Sequence, residues 1–137
     1  MTDSMISRPT AADLMTTGLR TCSPFSSVAE ASLILRGVDC GAIPVVDAGE
    51  AIGILTDRDI ALAVADHPDI ASLPVSEIMS KNPITVPPTA SIAEVQAKLI
   101  EHGVKRVLVV DQTGQLQGLI AKVDLALRGD AEPPIPS

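Results

Sequence analysis

Gly53-Ile54-Leu55-Thr56-Asp57-Arg58-Asp59-Ile60 reads as a buried strand running into a helix start, and it recurs as Gly118-Leu119-Ile120-Ala121-Lys122-Val123-Asp124-Leu125. Three more landmarks repeat in the same order. Asp13-Leu14-Met15-Thr16 answers to Glu77-Ile78-Met79-Ser80, Ser27-Val28-Ala29-Glu30-Ala31 to Ser91-Ile92-Ala93-Glu94-Val95, and Ile43-Pro44-Val45-Val46-Asp47 to Val107-Leu108-Val109-Val110-Asp111. These three pairs stand 64 residues apart (27 to 91), whereas the opening stretch stands 65 apart (53 to 118), which places one inserted residue within 111–117. A single-residue insertion belongs in a loop. The chain is therefore a tandem duplication, and the order of the motifs, appearing twice, is far more specific than any one of them.

Working outward, each copy has the same predicted elements. Thr10-x-x-Asp13 has the spacing of a helix N-cap with an acid at N3, starting a short helix through Met15; its counterpart spans 75–79. A brief extended segment follows at 19–22 and again at 84–86. Ser27-x-x-Glu30 and the matching Ser91 open capped helices, the first burying Val28, Ala31, Ile34 and Leu35 and ending at Gly37, the second burying Ile92, Val95 and Leu99. The apolar runs 42–46 and 51–55, parted by Asp47-Ala48-Gly49-Glu50, read as a hairpin of buried strands, as do 106–110 and 116–120. Helices then run from Thr56 to about Ala65 and over 122–127. His67-Pro68-Asp69 breaks the pattern and marks the connector. The repeats are thus 10–66 and 74–128, with 1–9 and 129–137 as loose tails.

Composition narrows the function. Two halves of about 60 residues are each marginal alone, so they are expected to share an interface and to form one compact module. Hydrophobic residues make up 46% of the 137-residue chain, which leaves some apolar surface for an oligomer. The net charge is −7, and residues 1–70 hold 4 basic against 10 acidic side chains. Nucleic-acid binding is disfavoured: it needs a basic stripe and, for single strands, aromatic platforms, yet Phe25 is the only aromatic residue. No signal peptide or bilayer-length apolar run is present, so a cytoplasmic protein without membrane attachment is expected. Cys22 and Cys40 form no C-x-x-C pair and are read as reduced, small buried residues.

The duplicated Leu/Ile-Met-Ser/Thr openings, the Ile-Pro-Val-Val-Asp strand and the Gly-hydrophobic-x-Thr-x-x-Asp ending resemble a tandem pair of CBS domains, a Bateman module, over residues 10–128. The resemblance implies an α/β fold of two β-α-β-β-α repeats related by a pseudo-twofold axis. It also implies a regulatory sensor that binds an adenosine-containing ligand, such as AMP, ADP, ATP or S-adenosylmethionine, in the cleft between repeats. Such a sensor forms a homodimer and signals to another protein chain. No cofactor is required beyond that regulatory nucleotide. The other class of function open to this sequence is a ligand-free interaction module whose dimer surface is its whole purpose.

Thr56 and Asp59 carry two readings. Thr-x-x-Asp at a strand-to-helix junction is a capping box, with Asp in place of Glu, and needs no ligand. In the CBS family the matching Asp holds the ribose hydroxyls and the matching Thr contacts a phosphate; a helix N-terminus suits an anion as well. The second copy keeps Asp124 although Ala121 cannot cap, which favours a further role for the Asp. The resemblance places Pro83, Ile84, Thr85, Arg106, Val107 and Leu108 with Thr56 and Asp59. It places Arg20, Thr21, Ala42, Ile43 and Pro44 with Asp124 in a second, weaker site. Lys105 and Arg106 precede their strand where Gly41 and Ala42 precede the other, so the first site is better equipped for phosphate, unless the two bases are simply a solvated strand end.

Enzymatic and metal readings find no footing. His67 and His102 are isolated from any metal-binding pattern, no nucleophile elbow occurs, and Gly53 and Gly118 stand alone rather than in a phosphate loop. Each glycine is expected to permit close packing within its strand.

Overall fold

The structure is a computed structural model that describes residues 8–38 and 41–128. Cys40, residues 1–7 of the expected tail at 1–9, and the whole of the expected tail at 129–137 lie outside the described residues. Among the described residues, five α-helices and six strands follow in order: α1 (Ala11–Leu14), α2 (Val28–Arg36), β1 (Ala42–Asp47), β2 (Glu50–Thr56), α3 (Asp57–Ala63), β3 (Ser80–Lys81), β4 (Thr85–Val86), α4 (Ile92–His102), β5 (Arg106–Val110), β6 (Leu116–Ala121) and α5 (Lys122–Arg128).

The helix starts form as their sequences dictate. Ser27/Glu30, Thr56/Asp59 and Ser91/Glu94 close reciprocal capping boxes, each occupying two backbone N–H groups that a helix start otherwise leaves open, while at Thr10 the Asp13 carboxylate accepts both the Thr10 N–H (2.8 Å) and the Thr10 hydroxyl (3.2 Å). At the other end of α4, Gly103 takes the left-handed conformation (φ 61°) that a residue with a Cβ adopts only at a cost. The β1–β2 hairpin turns through Ala48 and Gly49, both at positive φ (53° and 84°), the geometry whose twist matches antiparallel strands.

Two three-stranded sheets result, ordered β1-β2-β3 and β4-β5-β6. In one, β1 and β2 are antiparallel and β3 adds through Gly53↔Lys81 and Ile54↔Ser80. In the other, β4 lies parallel to β5, with Thr85↔Leu108 and Val86↔Val109. The extended segment expected at 19–22 keeps the equivalent place as a single parallel bridge, Cys22↔Val45, and does not lengthen into a strand. The helix expected over 75–79 is a single 3-10 turn, Val75–Glu77, because Pro74 precedes it and β3 begins three residues later.

The compact units are not coextensive with the sequence repeats. One comprises the described parts of Gly18–Pro83 with Thr113–Leu116; the other comprises the described parts of Met1–Thr17, Ile84–Gln112 and Gln117–Ser137. Each has its own buried cluster: Cys22, Ala31, Ile43, Val45, Leu55 and Val75 in the first, and residues that include Val86, Val95, Leu99, Val107, Val109 and Ile120 in the second. In the second, Ala11 N–H donates to the Ala90 carbonyl (2.8 Å), so the opening helix of the first repeat packs with the strands of the second. The opening turn of the second repeat does the reverse, with Val75 N–H donating to Ser26 O (2.8 Å).

The turn that carries the inserted residue has a partner of its own. Ala51 N–H donates to Gly114 O (3.1 Å) and Leu116 N–H to Gly49 O (3.0 Å), which clips this turn onto the tip of the β1–β2 hairpin. Among the described residues no helix is long and apolar enough to cross a membrane.

Candidate functional site

The junction between β2 and α3 is built from its glycine outward. A Cβ on Gly53 would stand 2.7 Å from Met79 Sδ and 2.9 Å from the Ser80 carbonyl oxygen, so only glycine lets β3 lie against β2 here. That register sets Ser80 opposite Ile54, two residues before the helix cap. The Ser80 hydroxyl donates to Asp59 Oδ1 (3.2 Å), while Asp59 Oδ2 accepts the Thr56 N–H (2.9 Å) and Thr56 Oγ1 accepts the Asp59 N–H (3.0 Å). Asp59 is half-buried.

An ionised carboxylate offers about four acceptor positions, and two are taken here, one on each oxygen. The Thr56 hydroxyl still has its proton to donate. The pair thus presents acceptors and a donor suited to a ligand carrying hydroxyls. Anion binding by the helix end is less well provided: Asp59 N–H is bonded to Thr56 and Asp57 N–H to Gly41 O (3.2 Å), and Asp57 and Asp59 put two acids in the first turn.

At the second copy, Asp124 Oδ2 accepts the Ala121 N–H (3.2 Å). Half of the capping box therefore survives without a capping side chain at Ala121. The persistence of Asp124 has this structural explanation, which removes the argument that the Asp must have another role. The scaffold beneath it is the same, for a Cβ on Gly118 would stand 2.6 Å from Met15 Sδ, and Thr16 and Leu119 exchange backbone bonds of 2.9 and 3.1 Å.

The other expected site residues divide by accessibility. Val107, Leu108, Ala42, Ile43 and Pro44 are buried strand residues; Pro83, Ile84, Thr85 and Arg106 are half-buried; Arg20 and Thr21 are exposed. Thr56, Asp59, Pro83, Arg20, Thr21, Ala42, Ile43 and Pro44 fall in one compact unit, and Ile84, Thr85, Arg106, Val107, Leu108 and Asp124 in the other. An open cavity of about 410 Å³ lies within this second unit, at the carboxyl ends of the parallel strands β4 and β5, lined by residues 85–89 and 110–112. Of the expected site residues it includes Thr85. Among the described residues no three His, Cys, Asp or Glu side chains gather as a metal site.

Ser80 is the residue that sequence reasoning passed over. Its signal was present, since a hydroxyl residue follows the methionine in both copies, as Met15-Thr16 and Met79-Ser80.

The family model for the CBS domain matches twice, over residues 11–66 and 75–128. The chain belongs to the CBS family. A CBS domain-containing protein from Bacillus subtilis, YhcV, is 38% identical over 115 residues, covering 84% of this chain and 81% of the relative. An inosine-5'-monophosphate dehydrogenase from Korarchaeum cryptofilum is 33% identical over 108 residues, which are 79% of this chain and 22% of that enzyme. Among solved structures, the CBS domain pair of protein MJ0100, in complex with 5'-methylthioadenosine and S-adenosyl-L-methionine, superposes with a TM-score of 0.80. It is 26% identical, with 92% of this chain and 99% of that one covered. The fold is thus the mixed α/β CBS pair, and CBS pairs of this kind are generally regulatory modules.

Proposed function

We propose that this CBS pair is a sensor that binds an adenosine-containing ligand, AMP-, ADP- or ATP-like or S-adenosylmethionine, and signals its occupancy to another protein chain. The observation that carries the reading is the Asp59 carboxylate, fixed by Thr56 and Ser80 with one acceptor position per oxygen left over. Two adjacent acceptors match the two vicinal hydroxyls of a ribose. The MJ0100 complex with two adenosine compounds supports the same ligand class. Thr56 and Asp59 are the principal contacts, with Pro83, Ile84, Thr85, Arg106, Val107 and Leu108 as further contributors. Asp124 with Arg20, Thr21, Ala42, Ile43 and Pro44 forms a weaker second site. A ligand that binds two poses unequally shifts their balance by that difference, and this is all a sensor requires.

A thermal-shift series with AMP, ATP and S-adenosylmethionine on nucleotide-stripped protein tests the proposal. A saturating rise in melting temperature with at least one compound is expected; no shift with any of them contradicts it. The second reading, a ligand-free dimerisation module, draws on the closed capping box at Thr56 and on the exposed Leu33, Leu62, Ile100 and Val123.

A further inference from the structure

We infer that Ser80 is a positioning residue for the adenosine site, orienting the Asp59 carboxylate so that its two remaining acceptor positions meet the ribose hydroxyls. The inference rests on the function proposed above. Without Ser80, Asp59 is held by Oδ2 alone, through the Thr56 N–H, and its carboxyl plane is free to turn about the terminal torsion, which has a broad and shallow preference. With Ser80, both oxygens are tied and the plane is set.

The tie is built into the strand rather than left to a mobile surface group. Ser80 is 21 residues from Asp59 in sequence and reaches it because β3 pairs with β2 in a register fixed at Gly53↔Lys81 and Ile54↔Ser80. Gly53 makes that pairing possible by leaving room for Met79 and for the Ser80 carbonyl. The glycine and the aspartate of the 53–59 stretch therefore act on one another through β3. The packing of methionine over glycine recurs with Met15 and Gly118, where Thr16 pairs with Leu119 through its backbone.

Ser80 is exposed, so replacing it leaves no cavity and no stranded donor. The experiment compares the parent, Ser80→Ala and Ser80→Thr by isothermal titration calorimetry with AMP, ATP, their 2'-deoxy forms and S-adenosylmethionine, beside circular dichroism and melting curves. The parent should bind the ribonucleotide more tightly than the deoxyribonucleotide. Ser80→Ala should fold normally and lose about three- to tenfold in affinity for whichever of AMP, ATP and S-adenosylmethionine the parent binds. Its preference for the ribonucleotide over the 2'-deoxy form should shrink, and Ser80→Thr, which keeps the hydroxyl, should restore both. A purely structural role would move the melting curve and leave the ribose preference alone. Ser80→Ala with parental affinity and parental ribose preference overturns the inference while leaving adenosine binding intact. A parent that binds none of AMP, ATP and S-adenosylmethionine overturns the proposed function and this inference together.

Discussion

Met79 lies directly over Gly53, its Sδ 2.7 Å from the position a Cβ would take, with the Ser80 carbonyl oxygen 2.9 Å away on the backbone behind it. Met15 lies over Gly118 in the same way, with Sδ, Cγ and Cβ at 2.6, 2.7 and 2.8 Å from the corresponding point. Each methionine of the repeated openings is thus the lid of a glycine in the repeated endings. The two motifs are one packing unit read at two places in the sequence.

Gly53→Ala and Gly118→Ala should each lower stability by about 1–3 kcal/mol, the usual cost of forcing a methyl group into a filled site. Urea denaturation followed by circular dichroism measures it. Met79→Ala should offset part of the Gly53→Ala loss but not all, because the Ser80 carbonyl is backbone and cannot step aside. Unchanged midpoints in both single variants would show that the strands separate freely at these glycines.

Much of this was legible in the sequence because it is local. The capping boxes at Ser27 and Ser91, the hairpin at Ala48-Gly49 and the buried strands of β1 and β5 follow from short-range chemistry and apolar runs. What escaped was non-local. Ser80 and Lys81 are both exposed and carry no apolar alternation, so nothing in their own stretch marks them as a strand; β2 recruits them through Gly53. The exchange of α1 and the Val75–Glu77 turn between the compact units is likewise a matter of long-range pairing. At the candidate site Thr56 and Asp59 were visible, whereas the Ser80 bond and the Asp124 bond to Ala121 were not, since each depends on side-chain direction.

Cys22 should make stability fall in alkali. It carries a free thiol, and burial pushes that thiol up to about 11 from its ordinary 9.0. The folded value lies above the unfolded one, so the contribution is whole below about pH 9 and is lost as the pH rises toward 11, by at most about 2–3 kcal/mol. Denaturation midpoints measured from pH 7 to 11 should decline more steeply in the parent than in Cys22→Ala. Parallel profiles would show that the thiol is not shielded.

A homodimer is expected from the large apolar side chains left in water. Leu33 and Leu62 are each 63% exposed on α2 and α3, and Ile100 and Val123 are 76% and 60% exposed on α4 and α5. Closed twofold assembly is the usual way to cover such surface. Light scattering at micromolar concentration should return twice the 14.2 kDa chain mass, and Leu33→Glu with Ile100→Glu should return the monomer. A monomeric parent would refute the dimer.

The two sites should be unequal, because Thr56 supplies a hydroxyl that Ala121 does not. Asp124→Ala should leave the tighter nucleotide-binding event nearly intact. The same variant should lose only the cap to the Ala121 N–H, a change of about 0.5–1.5 kcal/mol in stability. If Asp124→Ala abolishes the tighter event, the order of the sites is reversed.

Calorimetric titration of the nucleotide-stripped parent and Asp59→Ala with AMP, ATP and S-adenosylmethionine bears most directly on the sensor reading. Asp59→Ala gives up the Thr56 cap, by about 0.3–1 kcal/mol, and should remain folded by circular dichroism. A charge-assisted hydrogen bond is worth about 1.5–3 kcal/mol, so the variant should bind roughly ten- to a hundredfold more weakly. Loss of the tighter binding event in folded Asp59→Ala is the result the account predicts; binding as tight as the parent's, or a parent that binds none of the three compounds, would contradict it.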